Sequence, residues 1–238
     1  MERLDKLIAS RTGYSRREVQ KLVRCGSVLL NSRPALTADT KVDPQTDQVT
    51  VQGRPIQMAS HLYIMLNKPQ GVISASSDPA APTVVDLVPE EFRRPGLFPA
   101  GRLDKDTEGF VLITDDGQLA HRILSPRSHV PKTYFVEVDG PISPAVAQDF
   151  ADGMAFKSGE RCMSASLEIG PAGNQGVVIL QEGMYHQIKR MFLKHKLTVT
   201  HLIRVKMGGL ELDPNLKPGE CREITSNELA KLLCESDE

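Results

Sequence analysis

The sequence predicts an α+β fold made of a small N-terminal domain, residues 1–59, and a larger domain, residues 60–238. The length of 238 residues suits one large and one small domain, and an apolar content of 40% is sufficient for a buried core. In the larger domain, strand-like and helix-like segments follow one another without regular βα alternation. That order favours a mixed, largely antiparallel sheet with flanking helices.

The two predicted domains differ in charge. Residues 1–59 contain ten Lys and Arg against six Asp and Glu, a net charge of +4, whereas residues 60–238 contain 19 against 24, a net charge of −5. A basic domain attached to an acidic body indicates a module that binds a polyanion. Charge alone favours the alternative of a solvated helix face.

The N-terminal domain is predicted to contain two short helices followed by a small sheet. Ser15 and Glu18 have the spacing of a capping box, which places the start of the second helix at Ser15. Gly26 predicts the end of that helix. Spacings of four and three residues align a row of cations on one helix face. We call this row the basic stripe; it consists of Arg17, Lys21 and Arg24.

Hydrophobic periodicity and turn residues predict the other elements. The predicted strands are Val28–Asn31, Gln48–Val51, Tyr63–Asn67, Phe110–Thr114, Thr133–Val138 and Gly176–Leu180. The predicted helices are Leu119–Leu124, Ser143–Asp152 and Tyr185–His195. A turn is predicted at Ser32–Pro34, and the domain boundary is predicted near residues 55–61, where a Gly/Pro-marked strand ends.

Several short motifs in residues 1–59 point to one known type of domain. They are Arg3-Leu4-Asp5-Lys6, Ser15-Arg16-Arg17, Val28 and Asn31. With these residues the segment resembles the alpha-L RNA-binding domain, the type named after ribosomal protein S four. The resemblance implies that the domain grips the phosphates of structured RNA by shape and charge. The implied RNA-binding residues are Arg3, Arg16, Arg17, Lys21 and Arg24.

The most informative segment of the larger domain is Gly101-Arg102-Leu103-Asp104. It places a carboxylate beside a guanidinium on a glycine-bounded turn that runs into an apolar strand. Such a carboxylate is exposed enough to meet a substrate and is held by the strand behind it. Taken alone, Asp104 is better explained as a turn former, the usual role of Asp in a glycine-flanked turn.

A basic helix at Tyr185–His195 can face this carboxylate. Its buried face is defined by Met184, Ile188, Met191 and Phe192. Helical spacing then places Lys189 beside the buried face and turns Arg190 further away. The three histidines in and after this helix lack the spacing of a metal-ligand set. We interpret them as surface or sheet-edge residues: His186, His195 and His201.

Four motifs in residues 61–224 follow one another in a family-specific order. They are Asn67-Lys68-Pro69-Gln70-Gly71, Gly101-Arg102-Leu103-Asp104, Lys132-Thr133-Tyr134 and Tyr185-His186-Gln187-Ile188-Lys189-Arg190-Met191. In this order the chain resembles the ribosomal small-subunit pseudouridine synthase A (RsuA) family. The resemblance implies an isomerase that converts a specific uridine of small-subunit (16S) ribosomal RNA to pseudouridine. The enzyme flips the uridine out, breaks the N-glycosidic bond, turns the uracil and reattaches it through carbon five.

The resemblance assigns the chemistry to three residues. Asp104 is the implied catalytic carboxylate, which can attack the ribose carbon or the base, or remove a ribose proton. Tyr134 is implied to stack on the target base, and its hydroxyl can assist removal of the proton from carbon five. A strand tyrosine packed in the core is the alternative. Lys189 is the implied cationic partner that keeps Asp104 ionised.

Four further residues are implied to contact the substrate. Arg102 can wedge into the RNA or pair with phosphate, and Arg190 is either a phosphate contact or solvated. Leu202 lines the implied active site, which is compatible with an ordinary strand core. Lys68, in the first motif, is implied to bind RNA.

The resemblance implies neither a metal nor an organic cofactor, and the sequence contains no metal-ligand spacing or Gly-rich phosphate loop. Four cysteines without a Cys-x-x-Cys pair predict free thiols: Cys25, Cys162, Cys221 and Cys234. No segment approaches the ~20 apolar residues that span a bilayer. We therefore expect a cytoplasmic monomer that binds ribosomal RNA or the assembling small-subunit ribonucleoprotein, and no membrane.

Two alternatives remain open. One is the same chemistry on large-subunit ribosomal RNA, and the other is a non-catalytic RNA-binding factor for ribosome assembly. Met207-Gly208-Gly209-Leu210 and the short segment after Ile224 favour the small-subunit branch. The joint presence of Asp104, Tyr134 and Lys189 favours an enzyme.

Overall fold

The chain divides into two compact units in a computed structural model that describes residues 1–44, 46–56, 58, 61–125, 130–156 and 159–233. Unit 1 comprises Met1–Leu62 and Val88–Leu97, and unit 2 comprises Tyr63–Leu87 and Phe98–Glu238. No pattern in the sequence predicts that residues 88–97 group with the N-terminal segment. The predicted boundary between residues 59 and 60 lies outside the described residues and stays a prediction.

The described part of unit 1 combines two helices with short antiparallel strands. The helices are α1 Leu4–Arg11 and α2 Arg16–Arg24, and the strands are β1 Glu2–Arg3, β2 Val28–Leu30, β3 Arg33–Pro34, β4 Lys41–Val42, β5 Val49–Val51 and β6 Arg54–Pro55. Strands β3, β2, β5 and β6 form one sheet in that order, and β1 pairs with β4. The predicted turn at Ser32–Pro34 is shifted, because Asn31 and Ser32 have positive φ and Arg33 already belongs to β3.

The predicted ends of α2 are confirmed. The Ser15 amide donates to Glu18 Oε2 at 2.7 Å, and the Glu18 amide donates to Ser15 Oγ at 3.3 Å, which completes the capping box. After Arg24 the chain leaves the helix through Gly26, whose φ of +70° is left-handed. The apolar faces of both helices pack on the strands in a core that includes Leu4, Leu7, Ile8, Val19, Val28 and Val49.

Unit 2 forms, within its described residues, a nine-stranded sheet with four helices. The strands are β7 Tyr63–Lys68, β8 Phe98–Ala100, β9 Glu108–Thr114, β10 Lys132–Val138, β11 Ser166–Ile169, β12 Gln175–Leu180, β13 Val199–Met207, β14 Leu210–Glu211 and β15 Cys221–Glu223. The helices are α3 Gly117–Leu124, α4 Pro144–Asp152, α5 Gln187–Lys194 and α6 Ser226–Leu233. The main strand order is β11-β12-β10-β13-β9-β7-β15, while β14 pairs with β13 and β8 with β9.

The pairing between β9 and β13 is parallel, and the other pairings in this sheet are antiparallel. This agrees with the predicted mixed, largely antiparallel sheet. At the parallel pairing, Gly109 lies opposite Arg204, which in turn lies opposite Tyr134 on β10. A Cβ atom at Gly109 would clash with the Arg204 carbonyl oxygen, so the close approach of these strands requires glycine.

Two hydrophobic clusters fill unit 2. The first packs α4 and α5 on the sheet and includes Val136, Phe150, Val178, Met191, Phe192 and Leu202. The second packs α3 and α6 on the sheet and includes Met65, Phe110, Leu112, Ile123, Met207 and Leu232. Helix α5 begins at Gln187, two residues later than predicted, because His186 adopts a left-handed conformation with φ of 49°.

Two further sequence predictions concern the cysteines and the membrane. Cys25 and Cys162 are free thiols, while Cys234 lies outside the described residues. Among the helices of the described ranges, none is long and apolar enough to cross a membrane.

The carboxylate of Asp5 is completely buried in unit 1. It accepts two hydrogen bonds from Arg3 at 3.1 Å and one from Arg16 at 2.9 Å, and both arginine side chains are about half exposed. Burial raises the pKa of Asp5, but the hydrogen bonds from Arg3 and Arg16 outweigh burial and lower it to about 2. Two of the implied RNA-binding cations are therefore held in place by one internal anion.

We expect Asp5→Asn to destabilise unit 1 by about 2 kcal/mol at pH 7, since the amide cannot attract the two guanidinium groups. The folded pKa of Asp5 lies below its unfolded value, so this stabilisation is fully present above about pH 4. It is lost as pH falls towards 2, and the difference between wild type and variant should shrink over that window. Urea unfolding at pH 7 and pH 2.5 measures the effect.

Asp39→Asn is the matched control, because it neutralises an exposed carboxylate of the same unit. A variant Asp5→Asn as stable as the control at pH 7 would contradict the stabilising role of Asp5.

Candidate active site

Residues 101–107, between β8 and β9, form a loop that we call the acidic loop. It carries Asp104, whose side chain is 27% exposed, and Asp106, whose side chain is 70% exposed. The Thr107 amide donates to the Asp104 carbonyl at 3.1 Å, which closes a tight turn between the two carboxylates. The loop runs directly into buried strand β9, as the sequence predicted.

Lys68 holds the acidic loop from beneath. Its side chain is completely buried, and its ammonium donates to the carbonyls of Pro69 at 3.0 Å, Lys105 at 3.2 Å and Thr107 at 2.7 Å. Burial lowers the pKa of Lys68 to about 8, against the opposing attraction of nearby carboxylates led by Asp106. The RNA-binding role predicted for Lys68 is therefore wrong, because a fully buried ammonium with three carbonyl partners cannot reach RNA.

Ser74 and Gly71 fix the middle of the same loop. The Ser74 hydroxyl donates to the Leu103 carbonyl at 2.9 Å and accepts from the Leu103 amide at 3.0 Å. The Gly71 amide donates to the Lys105 carbonyl at 2.8 Å. The residues on both sides of Asp104 are thus tied to a neighbouring segment, which restricts the carboxylate to a narrow range of positions.

Arg204 fixes the beginning of the loop. It is 2% exposed, and its Nε donates to the Phe110 carbonyl at 2.7 Å while its Nη2 donates to the Gly101 carbonyl at 3.3 Å. Sequence reasoning assigned no role to Arg204. Its position on the inward face of β13, two residues after buried Leu202, was the available signal.

Lys189 of α5 faces the acidic loop, as predicted. Its Nζ lies 3.0 Å from Asp104 Oδ2 and also hydrogen-bonds Asp106. Burial alone would lower the pKa of Lys189, but the hydrogen bonds that its ammonium donates to Asp106 and Asp104 outweigh burial and raise it. The same hydrogen bond from Lys189 lowers the pKa of Asp106. A cation that stays protonated therefore bridges the two carboxylates, and Asp106 is a partner that sequence reasoning did not assign.

His186 lies at the site rather than on an unrelated surface. Its Nε2 is 3.4 Å from Asp104 Oδ1, on the side of the carboxylate opposite Lys189. The predicted surface location of His186 agrees with the structure, in which 37% of its side chain is exposed, but sequence reasoning did not place it beside Asp104. His201 is likewise at the surface, with 35% of its side chain exposed, although it stands on the internal strand β13, where it contacts Glu108.

A pocket connects these groups with an apolar wall. Its polar side includes Arg102, Asp104, His186, Gln187 and Lys189, and its apolar side includes Leu103, Tyr134, Leu180, Met184, Ile188 and Leu202. Arg102 is exposed and Tyr134 is half-buried, whereas Leu202 is 6% exposed and also belongs to the first hydrophobic cluster. The pocket offers one anion held by a cation, opposite a surface suited to a flat, weakly polar ring.

Arg190 is neither solvated nor directed into the pocket. Its Nη2 lies 2.6 Å from Glu160 Oε2, and its guanidinium carbon lies 3.9 Å from the centre of the Phe156 ring. The predicted phosphate contact through Arg190 is therefore not supported, because a protein carboxylate and an aromatic ring already hold the guanidinium.

In unit 1 the basic stripe of Arg17, Lys21 and Arg24 is exposed along α2. Arg3 and Arg16 extend from the buried Asp5 carboxylate towards solvent. Nowhere in the described ranges do three or more His, Cys, Asp or Glu side chains form a group that could hold a metal ion.

Comparison with known protein families matches two parts of the chain. Residues 62–194 match the family described as RNA pseudouridylate synthase, and residues 2–49 match the S4 domain. A solved structure described as a pseudouridylate synthase has a TM-score of 0.67 and 35% identity to this chain, covering 98% of this chain and 100% of its own.

Relatives in bacteria match over nearly the full length. An uncharacterized RNA pseudouridine synthase of Bacillus subtilis, YtzG, is 48% identical over 95% of this chain and 96% of its own. The ribosomal small subunit pseudouridine synthase A of Escherichia coli is 39% identical over 97% of this chain and 100% of its own. The chain therefore belongs to the RNA pseudouridine synthase family, as an isomerase of the ribosomal small-subunit pseudouridine synthase A type with an N-terminal S4 domain.

Proposed function

We propose that this protein converts one uridine of small-subunit (16S) ribosomal RNA into pseudouridine, with Asp104 as the catalytic carboxylate. One observation carries the proposal: Asp104 is held at 3.0 Å by Lys189 in a pocket that Tyr134 and Leu202 also line. The substrate is supported by the relatives of Yersinia pestis and Escherichia coli, which are named for the ribosomal small subunit.

The reaction breaks the bond between ribose carbon one and uracil N1 and forms a bond from the same ribose carbon to uracil carbon five. A proton leaves carbon five, and a proton arrives at N1. Attack on the ribose, attack on the base and removal of a ribose proton each require an anionic oxygen beside the scissile bond. Asp104 supplies that oxygen, and Lys189 holds it at 3.0 Å.

The uracil reaches Asp104 only after the nucleotide leaves the RNA stack. In the pocket, the ring of Tyr134 stacks on the uracil and Leu202 packs against it, which replaces part of the stacking energy lost on extrusion. The Tyr134 hydroxyl assists removal of the proton from carbon five. Arg102, exposed at the same pocket, neutralises a phosphate next to the extruded nucleotide.

We expect Asp104→Asn to lower turnover at least about 1,000-fold, because the amide has neither the charge nor the nucleophilicity of the carboxylate. RNA affinity should be equal or slightly higher, since one negative charge near phosphate is removed. Tritium release under single-turnover conditions measures the effect, with 16S and 23S ribosomal RNA transcripts labelled at carbon five of uridine. Wild type should release tritium from the 16S transcript only.

Asp106→Asn is the matched control, since Asp106 shares the Lys189 ammonium but is far more exposed than Asp104. It should keep turnover within about tenfold of wild type. Near-normal turnover of Asp104→Asn together with an inactive Asp106→Asn would transfer the catalytic role to Asp106. Release from the 23S transcript alone would overturn the proposed substrate.

Two substitutions of Tyr134 should distinguish its role in stacking from its role in proton transfer. We expect Tyr134→Phe to bind RNA and cleave the glycosidic bond, but to slow the final loss of the proton from carbon five, since the ring remains and the hydroxyl is gone. Tyr134→Ala should lose both functions. Rapid-quench analysis of the bound nucleotide distinguishes the two steps, and wild-type turnover in Tyr134→Ala would show that the residue only packs the core.

The basic stripe should contribute to RNA affinity through phosphate contacts. Replacing Arg17, Lys21 and Arg24 together by Ala should weaken binding at least about tenfold and reduce the salt dependence by roughly two to three counterions, because each of three phosphate contacts releases about 0.7 to 0.9. Fluorescence anisotropy with 16S transcript at several salt concentrations gives both quantities.

The control for net charge replaces three exposed lysines of unit 2, Lys196, Lys217 and Lys231. Equal losses of affinity and of salt dependence in the two triple variants would refute a specific role for the stripe.

A further inference from the structure

Tyr185 is an exposed aromatic residue at the edge of the pocket. Its side chain is 76% exposed, although its neighbours Gly183, Met184 and His186 all line the pocket. The Tyr185 ring stacks on the His186 ring with 3.8 Å between centroids and 16° between planes. One face of the tyrosine is therefore covered by the protein, and the large exposed area indicates that the other face is open to solvent.

The protein holds this ring from behind. His186 is fixed by its contact with Asp104 and by its left-handed backbone. The Tyr185 carbonyl accepts a hydrogen bond from Arg190 Nη1 at 3.3 Å, and Arg190 is itself anchored by Glu160. Arg190 does not line the pocket, but its hydrogen bond restrains the backbone that carries the exposed ring. A ring restrained before binding loses little conformational entropy when a partner stacks on it.

We propose that the outer face of Tyr185 is a stacking subsite for a nucleotide that flanks the extruded uridine. The proposal rests on the proposed function, because a flipped nucleotide leaves its neighbours without a stacking partner. An aromatic ring beside the pocket replaces that partner, and it accepts any base because every base has a π-face. The Tyr185–His186 pair then spans the distance from the flanking base to the Asp104 carboxylate.

The absence of tryptophan from the sequence provides a direct test. Tyr185→Trp introduces one fluorophore, and a base stacked on it should quench its emission when 16S transcript binds. The measurement is made in the Asp104→Asn variant, so that the RNA is not converted during titration. Leu193→Trp is the matched control, because Leu193 lies on α5 and is 64% exposed; its emission should not change.

Affinity and rate give a second, independent readout. We expect Tyr185→Ala to weaken binding of 16S transcript roughly 5- to 100-fold, the usual effect of losing one base–aromatic stack. Tyr185→Phe should bind within about twofold of wild type, and Leu193→Ala should be unchanged. At saturating RNA, the single-turnover rate of Tyr185→Ala with Asp104 intact should equal that of wild type.

Three results would overturn the subsite. The first is a Tyr185→Ala variant that binds RNA as tightly as wild type, together with a Tyr185→Trp variant whose emission is not quenched. The second is a Tyr185→Phe variant that loses as much affinity as Tyr185→Ala. The third is a Tyr185→Ala variant with unchanged affinity but a slower single-turnover rate at saturating RNA. The last would mean that Tyr185 acts on Asp104 through His186. Turnover by Asp104→Asn would refute the proposed function. The binding and fluorescence measurements test the subsite independently of that result, because they need no chemical step.

Discussion

The geometry of the active site depends on one buried positive charge. An ammonium removed from water is stable only where acceptors surround it, and the three acceptors of Lys68 are backbone carbonyls, two of them in the acidic loop. The loop must therefore adopt the one conformation that presents both carbonyls to Lys68. Since Asp104 stands immediately before these residues, the requirement of the lysine for acceptors also determines where the carboxylate lies.

A second buried cation acts in the same way at the other end of the loop. Arg204 binds the Gly101 carbonyl and stands between Tyr134 and Gly109 in the sheet, so one residue relates the loop, the aromatic wall and strand β9. Asp104 belongs to the acidic loop and Tyr134 belongs to β10. Strand β13 connects the two, because its Arg204 binds the loop and lies opposite Tyr134 in the sheet. Asp104 and Tyr134, which line the pocket, are thus supported by two buried cations that do not line it.

Much of this arrangement could be predicted from local pattern. The capping box at Ser15, the continuous apolar run of β9 and the position of Lys189 beside the buried face of α5 follow from short-range spacing, and each is present in the structure. Burial of Lys68 was also predictable, since Ile64, Leu66 and Lys68 alternate along one face of β7. The family resemblance implied that this lysine binds RNA, whereas the alternation along β7 indicates that its side chain is buried.

Other features depend on tertiary structure and left no local signal. The pairing of Arg190 with Glu160 joins residues 30 positions apart, and the contact of His186 with Asp104 depends on a left-handed residue that the helical pattern of α5 concealed. Helix α6 was missed because its short apolar pattern is meaningful only where it packs under β14.

The strand order determines when the sheet can fold during synthesis of the chain. Strand β13 inserts between β10 and β9, which precede it by some sixty to ninety residues, and β15 covers the edge of β7. Until residues 199–207 are available, β9 and β10 each keep an unpaired edge, and Tyr134 has no fixed relation to the acidic loop. A nascent or truncated chain that stops before β13 would expose those edges to other chains. The centre of the sheet, and with it the pocket, can form only after residues 199–207 have been made.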